Sequence, residues 1–236
     1  MNIAELPNAQ AVLVHDDLDG MSVSVAQRIA ELAAQAIAAR GVFHLVLAGG
    51  ETPRRCYEKL RNVAVAWPHV QIYFGDERCL PDGDKQRNDF MAKESLLDHV
   101  SIPPANIHRI PAEHGAREAA AIYAALLTQV GPLDLVLLGM GEDGHTASLF
   151  PDNPATESAL SVVPVFNATK PPAERVSLGM STLNAARQRI IMAAGSGKRA
   201  ALKQILLGAP LPVARMAVAE WHLDIAALPR GGDSQE

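Results

Sequence analysis

Two side chains define the chemistry this sequence can attempt. Asp143 and His145 stand two positions apart in the run Gly139-Met140-Gly141-Glu142-Asp143-Gly144-His145, directly after the apolar stretch Leu135-Val136-Leu137-Leu138. An imidazole has an ordinary pKa of about 6.5, so it can take a proton near neutrality. A carboxylate beside it fixes its tautomer and stabilises its charged form. No serine or cysteine sits in a Gly-x-Ser-x-Gly elbow, so a covalent acyl-enzyme is not expected. The simplest remaining chemistry is a water molecule activated by His145. The apolar stretch reads as a buried strand. Ligands bind at the carboxyl ends of strands in an open α/β sheet, which places Asp143 and His145 in the active site.

Three more strand ends carry glycines or charges: Gly49 to Thr52, Asp76 to Arg78, and Gly195 to Lys198. Parallel strands end on one edge, so all four loops are expected to share a cleft. Arg78 has the forked guanidinium that grips a phosphate or carboxylate, or it forms a structural ion pair with Asp76 or Glu77. Lys198 lies in the first turn of an expected helix, where the helix dipole disfavours a cation. That position, beside free backbone N–H groups, suits a simple phosphate. Asp76, Glu77, Asp82 and Asp84 could be read as a metal cluster, but solvated loop acids are the plainer reading and no metal site is expected.

The glycine pattern excludes two familiar sites. Gly139-x-Gly141-x-x-Gly144 matches a dinucleotide fingerprint, but Pro151 and Pro154 cut short the helix it should open. No strand with a ribose-binding acid follows, so no nucleotide cofactor is expected. Gly195-Ser196-Gly197-Lys198 lacks the Walker pattern, because Met192 and Arg199 stand where Gly and Ser or Thr are required.

The elements that must position these groups alternate. Strands are expected at 11–15, 42–48, 70–74, 106–110, 134–139, 161–166, 175–178, 190–194 and 213–219. Helices are expected from Ser22 or Ser24 to Arg40, from Pro53 to Leu60, over 88–99, around 119–127, and from Lys198 to about 207. Gly41 should close the first helix. This alternation calls for an α/β fold, a parallel sheet with helices on both faces, in one domain spanning residues 1–236 with a frayed tail from about 230.

The chain has 236 residues, 48% of them hydrophobic, enough for one core. A net charge of −5 offers no general attraction to nucleic acid or an anionic membrane. No apolar run is long enough to span a bilayer and the first residues do not read as a signal peptide, so a cytoplasmic location is expected. Cys56 and Cys79 lack a Cys-x-x-Cys spacing and read as reduced thiols.

Leu47 to Pro53, Gly75 to Arg78, Leu138 to Pro151, Arg175 to Leu178 and Gly195 to Ala200 together resemble the 6-phosphogluconolactonase family, in order and over nearly the whole chain. The related glucosamine-6-phosphate deaminases share the Gly-Gly-x-Thr-Pro and Asp-Gly-His motifs and a modified Rossmann-like sheet. After Asp-Gly-His, however, they carry a segment with a catalytic Glu, where this chain has Ser148-Leu149-Phe150-Pro151. They also usually place Tyr where this chain has Arg78. Two departures from the lactonase pattern are Glu51, in place of Ser, and Arg87, in place of the Ser of a Ser-Asn pair. Both are expected to alter contacts at the rim.

The resemblance implies hydrolysis of 6-phospho-D-glucono-1,5-lactone without a cofactor, in the oxidative pentose phosphate pathway. It assigns His145 as base and Asp143 as its orienting partner. Backbone N–H groups of Gly49, Gly50 and Thr52, or of Gly141 and Gly144, would hold the oxyanion. Arg78 and Lys198 would hold the phosphate. The partner is then a small phosphorylated sugar lactone, and the chain is expected to be a monomer or weak homo-oligomer. The alternatives are a deaminase-like isomerase and a non-catalytic sugar-phosphate effector domain, which would need a DNA-binding helix-turn-helix that is not expected here.

Overall fold

The computed structural model describes residues 3–230. The expected tail at 231–236 lies outside the described residues. Among the described residues, nine strands and six α-helices follow in chain order: β1 (Ala9–His15), α1 (Leu18–Arg40), β2 (Phe43–Leu47), α2 (Glu51–Leu60), β3 (Val70–Phe74), β4 (Asp76–Arg78), α3 (Asn88–Ser95), α4 (Ala116–Leu127), β5 (Leu135–Gly139), β6 (Val162–Val165), β7 (Arg175–Leu178), α5 (Met180–Ala185), β8 (Gln188–Ala193), α6 (Arg199–Leu206) and β9 (Ala219–Asp224).

Six strands form one sheet in the order β1-β9-β8-β5-β2-β3, and every pairing in it is parallel. β5 and β9 are buried almost throughout, because helices and loops cover both faces. Edge strand β1 alternates exposed and half-buried residues. The described residues share one hydrophobic core that joins the sheet to α1, α2, α4 and α6. The strands β8, β5 and β2 are neighbours, so the loops leaving their carboxyl ends lie side by side. That arrangement brings the 48–52, 139–145 and 194–198 segments to one place.

A second, antiparallel sheet has the order β4-β7-β6 and departs from the all-parallel expectation. Asp76 to Arg78 is therefore a short strand and not a loop. Its register sets Arg78 directly opposite Arg175. α4 packs over β6 and β7.

Three local expectations need correction. The α1 cap is Asp17, whose carboxylate accepts the Gly20 N–H at 2.8 Å. Ser22 lies inside the helix and donates to the Leu18 carbonyl. Residues 106–110 make only an isolated bridge, Ile72 to Ile107, because prolines at 103, 104 and 111 interrupt the segment. The last strand is β9, not 213–219, where Pro212–Arg215 forms a 3₁₀ turn. β9 escapes an apolar pattern because Glu220, His222 and Asp224 alternate with Trp221 and Leu223. All three polar residues are buried with partners: Glu220 with Arg28, His222 with His15, and Asp224 with the Gly195 and Ala227 N–H groups. Gly41 closes α1 as expected, with φ +77° and its N–H on the Ile37 carbonyl.

Candidate active site

A cleft of about 850 Å³ opens at the carboxyl ends of these strands, lined by all four expected loops. At its floor the β5 chain turns sharply after Gly139. The Gly141 N–H donates to the His145 carbonyl at 2.8 Å, which folds the loop back on itself. His145 Nδ1 then lies 2.5 Å from Asp143 Oδ1, and the His145 backbone N–H points to the same oxygen at 3.2 Å. A carboxylate only accepts, so Nδ1 carries the proton and Nε2 keeps its lone pair. Burial works to raise the Asp143 carboxyl, but the hydrogen bond and the charge of His145 outweigh it and hold it near 2. The His145 ring rests on Phe150, with centroids 4.5 Å apart. The structure therefore brings Asp143 and His145 together as a hydrogen-bonded pair.

Gly141 is what allows this. A Cβ there would lie 2.0 Å from His145 Nδ1 and 2.5 Å from Asp143 Oδ1. Gly144 has a different task. It does not line the cleft. Its φ of +78° and its N–H bond to the Gly141 carbonyl shape the turn, and a Cβ would strike Leu211. The N–H groups of Gly141 and Gly144 are thus both used inside their own loop.

The other glycine loop is free to donate. α2 begins at Glu51 behind Gly50, and no side chain caps it. The first N–H groups of a helix have no intrahelical acceptor, so those of Glu51 and Thr52 are available to a ligand. Gly49, Gly50 and Thr52 all line the cleft. Gly49 packs so closely on Asn88 that a Cβ would lie 2.0 Å from its Oδ1.

Cations also line the cleft. Arg78 forms no ion pair with Asp76 or Glu77. Glu77 instead accepts the backbone N–H groups of Arg78, Asn88 and Asp89. Asp76 accepts from Asn88 and, at 2.5 Å, from the Ser148 hydroxyl. Arg78 donates to the Gln86 carbonyl at 2.5 Å, while its Nε is buried without a partner. A buried guanidinium nitrogen without an acceptor is costly, and an anion at the site would supply one. Arg175, opposite Arg78 in the β4–β7 register, also lines the cleft. Burial lowers its pKa, and the charge of Arg78 adds to this against the pull of Asp76. Like charges paired across strands destabilise a sheet unless an anion joins them.

Lys198 reaches the same cleft from the β8 end. Burial lowers its pKa against the attraction of Glu142. The Gly195 N–H is taken by Asp224, and the Lys198 N–H by the Gly195 carbonyl, so less free backbone is offered here than expected. Lys170 lines the cleft as well. The sequence reading did not single out Arg175 or Lys170 as site residues. One lies within a strand and the other in a Pro-rich loop, and only the second sheet carries them to the cleft. Among the four acids, Asp82 pairs with Arg109 and Asp84 accepts the Gln86 N–H, so they do not converge. Of the two departures, Glu51 lines the cleft and pairs with Arg54. Arg87 is not at the rim: it is buried against Asp89, Glu113 and the Ile110 carbonyl.

An open parallel sheet whose switch point holds a His–Asp pair facing several cations defines a hydrolase-type site for a small anionic substrate. The chain belongs to the glucosamine-6-phosphate isomerase/6-phosphogluconolactonase family, whose profile matches residues 16–223. It is 36% identical to a 6-phosphogluconolactonase of Streptomyces coelicolor, over 93% of this chain and 95% of that protein. It superposes on a 6-phosphogluconolactonase of Thermotoga maritima with a TM-score of 0.84 and 27% identity, over 91% of this chain and 99% of the other. A monomeric glucosamine-6-phosphate deaminase shares the fold, with a TM-score of 0.81 at 19% identity, over 92% of this chain and 98% of the other.

Proposed function

We propose that this chain hydrolyses 6-phospho-D-glucono-1,5-lactone to 6-phosphogluconate, the lactonase step of the oxidative pentose phosphate pathway. The observation that carries the mechanism is the His145–Asp143 pair at 2.5 Å on the floor of a cation-lined cleft. His145 Nε2 takes a proton from water, and the hydroxide formed attacks the lactone carbonyl. Asp143 holds the imidazole and stabilises its positive charge. The carbonyl oxygen, now an oxyanion, is held by the N–H groups of Glu51 and Thr52 at the α2 N-terminus. Collapse of the tetrahedral intermediate breaks the bond to the ring oxygen, which takes the proton from His145. The products are a carboxylic acid, which releases its proton to solvent to become a carboxylate, and a free hydroxyl. Arg78 and Lys198 hold the phosphate away from the reacting carbon.

A positioned base contributes about 10²–10⁴-fold and an oxyanion donor about 10²–10³-fold. A δ-lactone is already electrophilic, so these suffice. The partner is a small molecule, and among the described residues no helix is long and apolar enough to cross a membrane. The site works within one chain, consistent with a monomer or weak homo-oligomer. The test is turnover of lactone generated in situ, with spontaneous hydrolysis subtracted, in the presence and absence of EDTA. Turnover above background that EDTA leaves unchanged is expected. A rate equal to background overturns the assignment, and loss of rate with EDTA overturns the metal-free mechanism.

A further inference from the structure

Residues 167–174 form a strap between β6 and β7, closed by the Ala168 N–H on the Ala173 carbonyl at 3.0 Å. Backbone carbonyls in such a loop normally face water. Here three in a row are taken by one buried side chain. Arg175 donates through Nε to the Pro172 carbonyl at 3.0 Å and through Nη2 to the Lys170 and Pro171 carbonyls at 3.0 and 2.9 Å. Its guanidinium is also held over the Phe150 ring, 5.5 Å from the centroid. The arrangement fixes the backbone at Lys170, and Lys170 lines the cleft.

The Lys170 ammonium itself is not committed to the fold. Its one ion pair is with Glu142 at 3.9 Å, between side chains that are 45% and 66% exposed. Such a pair contributes little. Across the cleft, the charge of Lys170 bears on the Lys198 ammonium, while Glu142 attracts it. Two ammonium groups thus face one region of the cleft, with Glu142 the acid that bears on both. Building like charges toward one point is unfavourable unless a ligand of opposite sign enters.

We propose that Lys170 is a ligand for the substrate phosphate, opposite Lys198, and that Arg175 is the positioning residue that delivers it. This rests on the phosphorylated-lactone reading above. Glu142 is the acid that pairs with Lys170 and attracts Lys198. When the phosphate enters, its oxygens replace the Glu142 carboxylate as the partner of both ammonium groups. Arg175 acts through Lys170, because its Nε and Nη2 donors hold the strap.

The experiment pairs kinetics with direct binding. Lys170→Ala is expected to raise KM for the phosphorylated lactone about 10- to 100-fold, as loss of a charge-assisted hydrogen bond would, with a much smaller change in kcat. Inorganic phosphate titrated into the full chain and followed by amide NMR shifts should bind Lys170→Ala weaker by a similar factor. Arg175→Lys cannot reach three carbonyls, so it should raise KM likewise, yet add under about twofold to a Lys170→Ala background. An unchanged phosphate affinity in Lys170→Ala, or a loss confined to kcat, overturns the proposal. Additive effects of the two substitutions overturn the positioning role. If Arg175→Lys does not fold, Lys170→Ala alone decides the ligand. The phosphate titration needs no turnover, so a wild-type chain that binds phosphate but leaves the lactone intact would refute the lactonase reading while leaving Lys170 testable.

Discussion

Gly141→Ala is the sharpest test of the proposed catalytic pair, because it adds one methyl group and removes no functional one. The added carbon would sit 2.0 Å from His145 Nδ1 and 2.5 Å from Asp143 Oδ1. Favourable contact between such atoms begins near 3.5 Å, so the imidazole must retreat by more than ~1 Å. The ring has room to do so, since it lies at the open cleft, and the fold should tolerate the change. The 2.5 Å bond to Asp143 will not survive it. A misplacement of ~1 Å in a reacting group can cost ~10²-fold, and loss of the orienting carboxylate adds to that. The expected outcome is a kcat lower by ~10²- to 10³-fold with a melting temperature within a few degrees of wild type. The assay is lactone hydrolysis at fixed pH after subtraction of the spontaneous rate, with circular dichroism for the fold. A Gly141→Ala enzyme within threefold of wild type would refute the claim that Asp143 must hold His145 in this geometry.

His145→Ala should lower kcat by at least ~10²-fold, and a lower loss measured in the same assay would remove it as base. Arg78→Ala should raise KM ~10-fold or more with a smaller effect on kcat; the reverse split would mean that the guanidinium serves the chemistry and not binding. Asp143 titrates near 2 in the fold against an ordinary 3.8, so its ionised form stabilises the native state above pH ~4, and this is lost as pH falls from about 4 to 2. For a partly exposed pair this amounts to about 1–2 kcal/mol, and Asp143→Asn should flatten that part of the acid-unfolding curve. His222 is pushed down to about 4, by burial first and by His15 second, from an ordinary 6.5. The unfolded chain therefore binds the extra proton between those values, and stability should drop by up to ~3 kcal/mol as pH falls from 6.5 to 4. Denaturant midpoints of His222→Gln that keep the wild-type slope across this window would refute it.

The sequence revealed most of the frame because parallel strands buried on both faces leave unbroken apolar runs. Val70 to Phe74 is found as read, and the strands expected at 134–139 and 190–194 are found at Leu135–Gly139 and Gln188–Ala193. It failed where burial and polarity coincide. β9 carries Glu220, His222 and Asp224 inside the sheet, each neutralised by a partner far away in the chain, which no local pattern reveals. His145 and Asp143 were legible because their whole arrangement lies within five residues of a glycine turn. Arg175 and Lys170 were not, since their place in the cleft depends on an antiparallel pairing with Asp76–Arg78 across almost a hundred residues. The proposal of the 49–52 loop over Gly141–Gly144 as oxyanion donor has no counterpart in the sequence pattern. It depends on which N–H groups the backbone has already used.

The sheet itself does not distinguish a lactonase from a deaminase, since both share it. The distinction lies in the four residues after His145 and Ala147. Ser148 donates to Asp76, and its own N–H bonds the Ser177 hydroxyl, so its side chain is bound into the β4–β7 sheet. Leu149 and Phe150 are fully buried. The Phe150 ring supports His145 on one side and lies under the Arg175 guanidinium on the other. His145 is left with one acidic partner and a cleft open to water, which suits a reaction needing a single base and no second acid. The Phe150 ring joins two parts of the site, because the Arg175 guanidinium above it holds the strap while the His145 imidazole packs beside it.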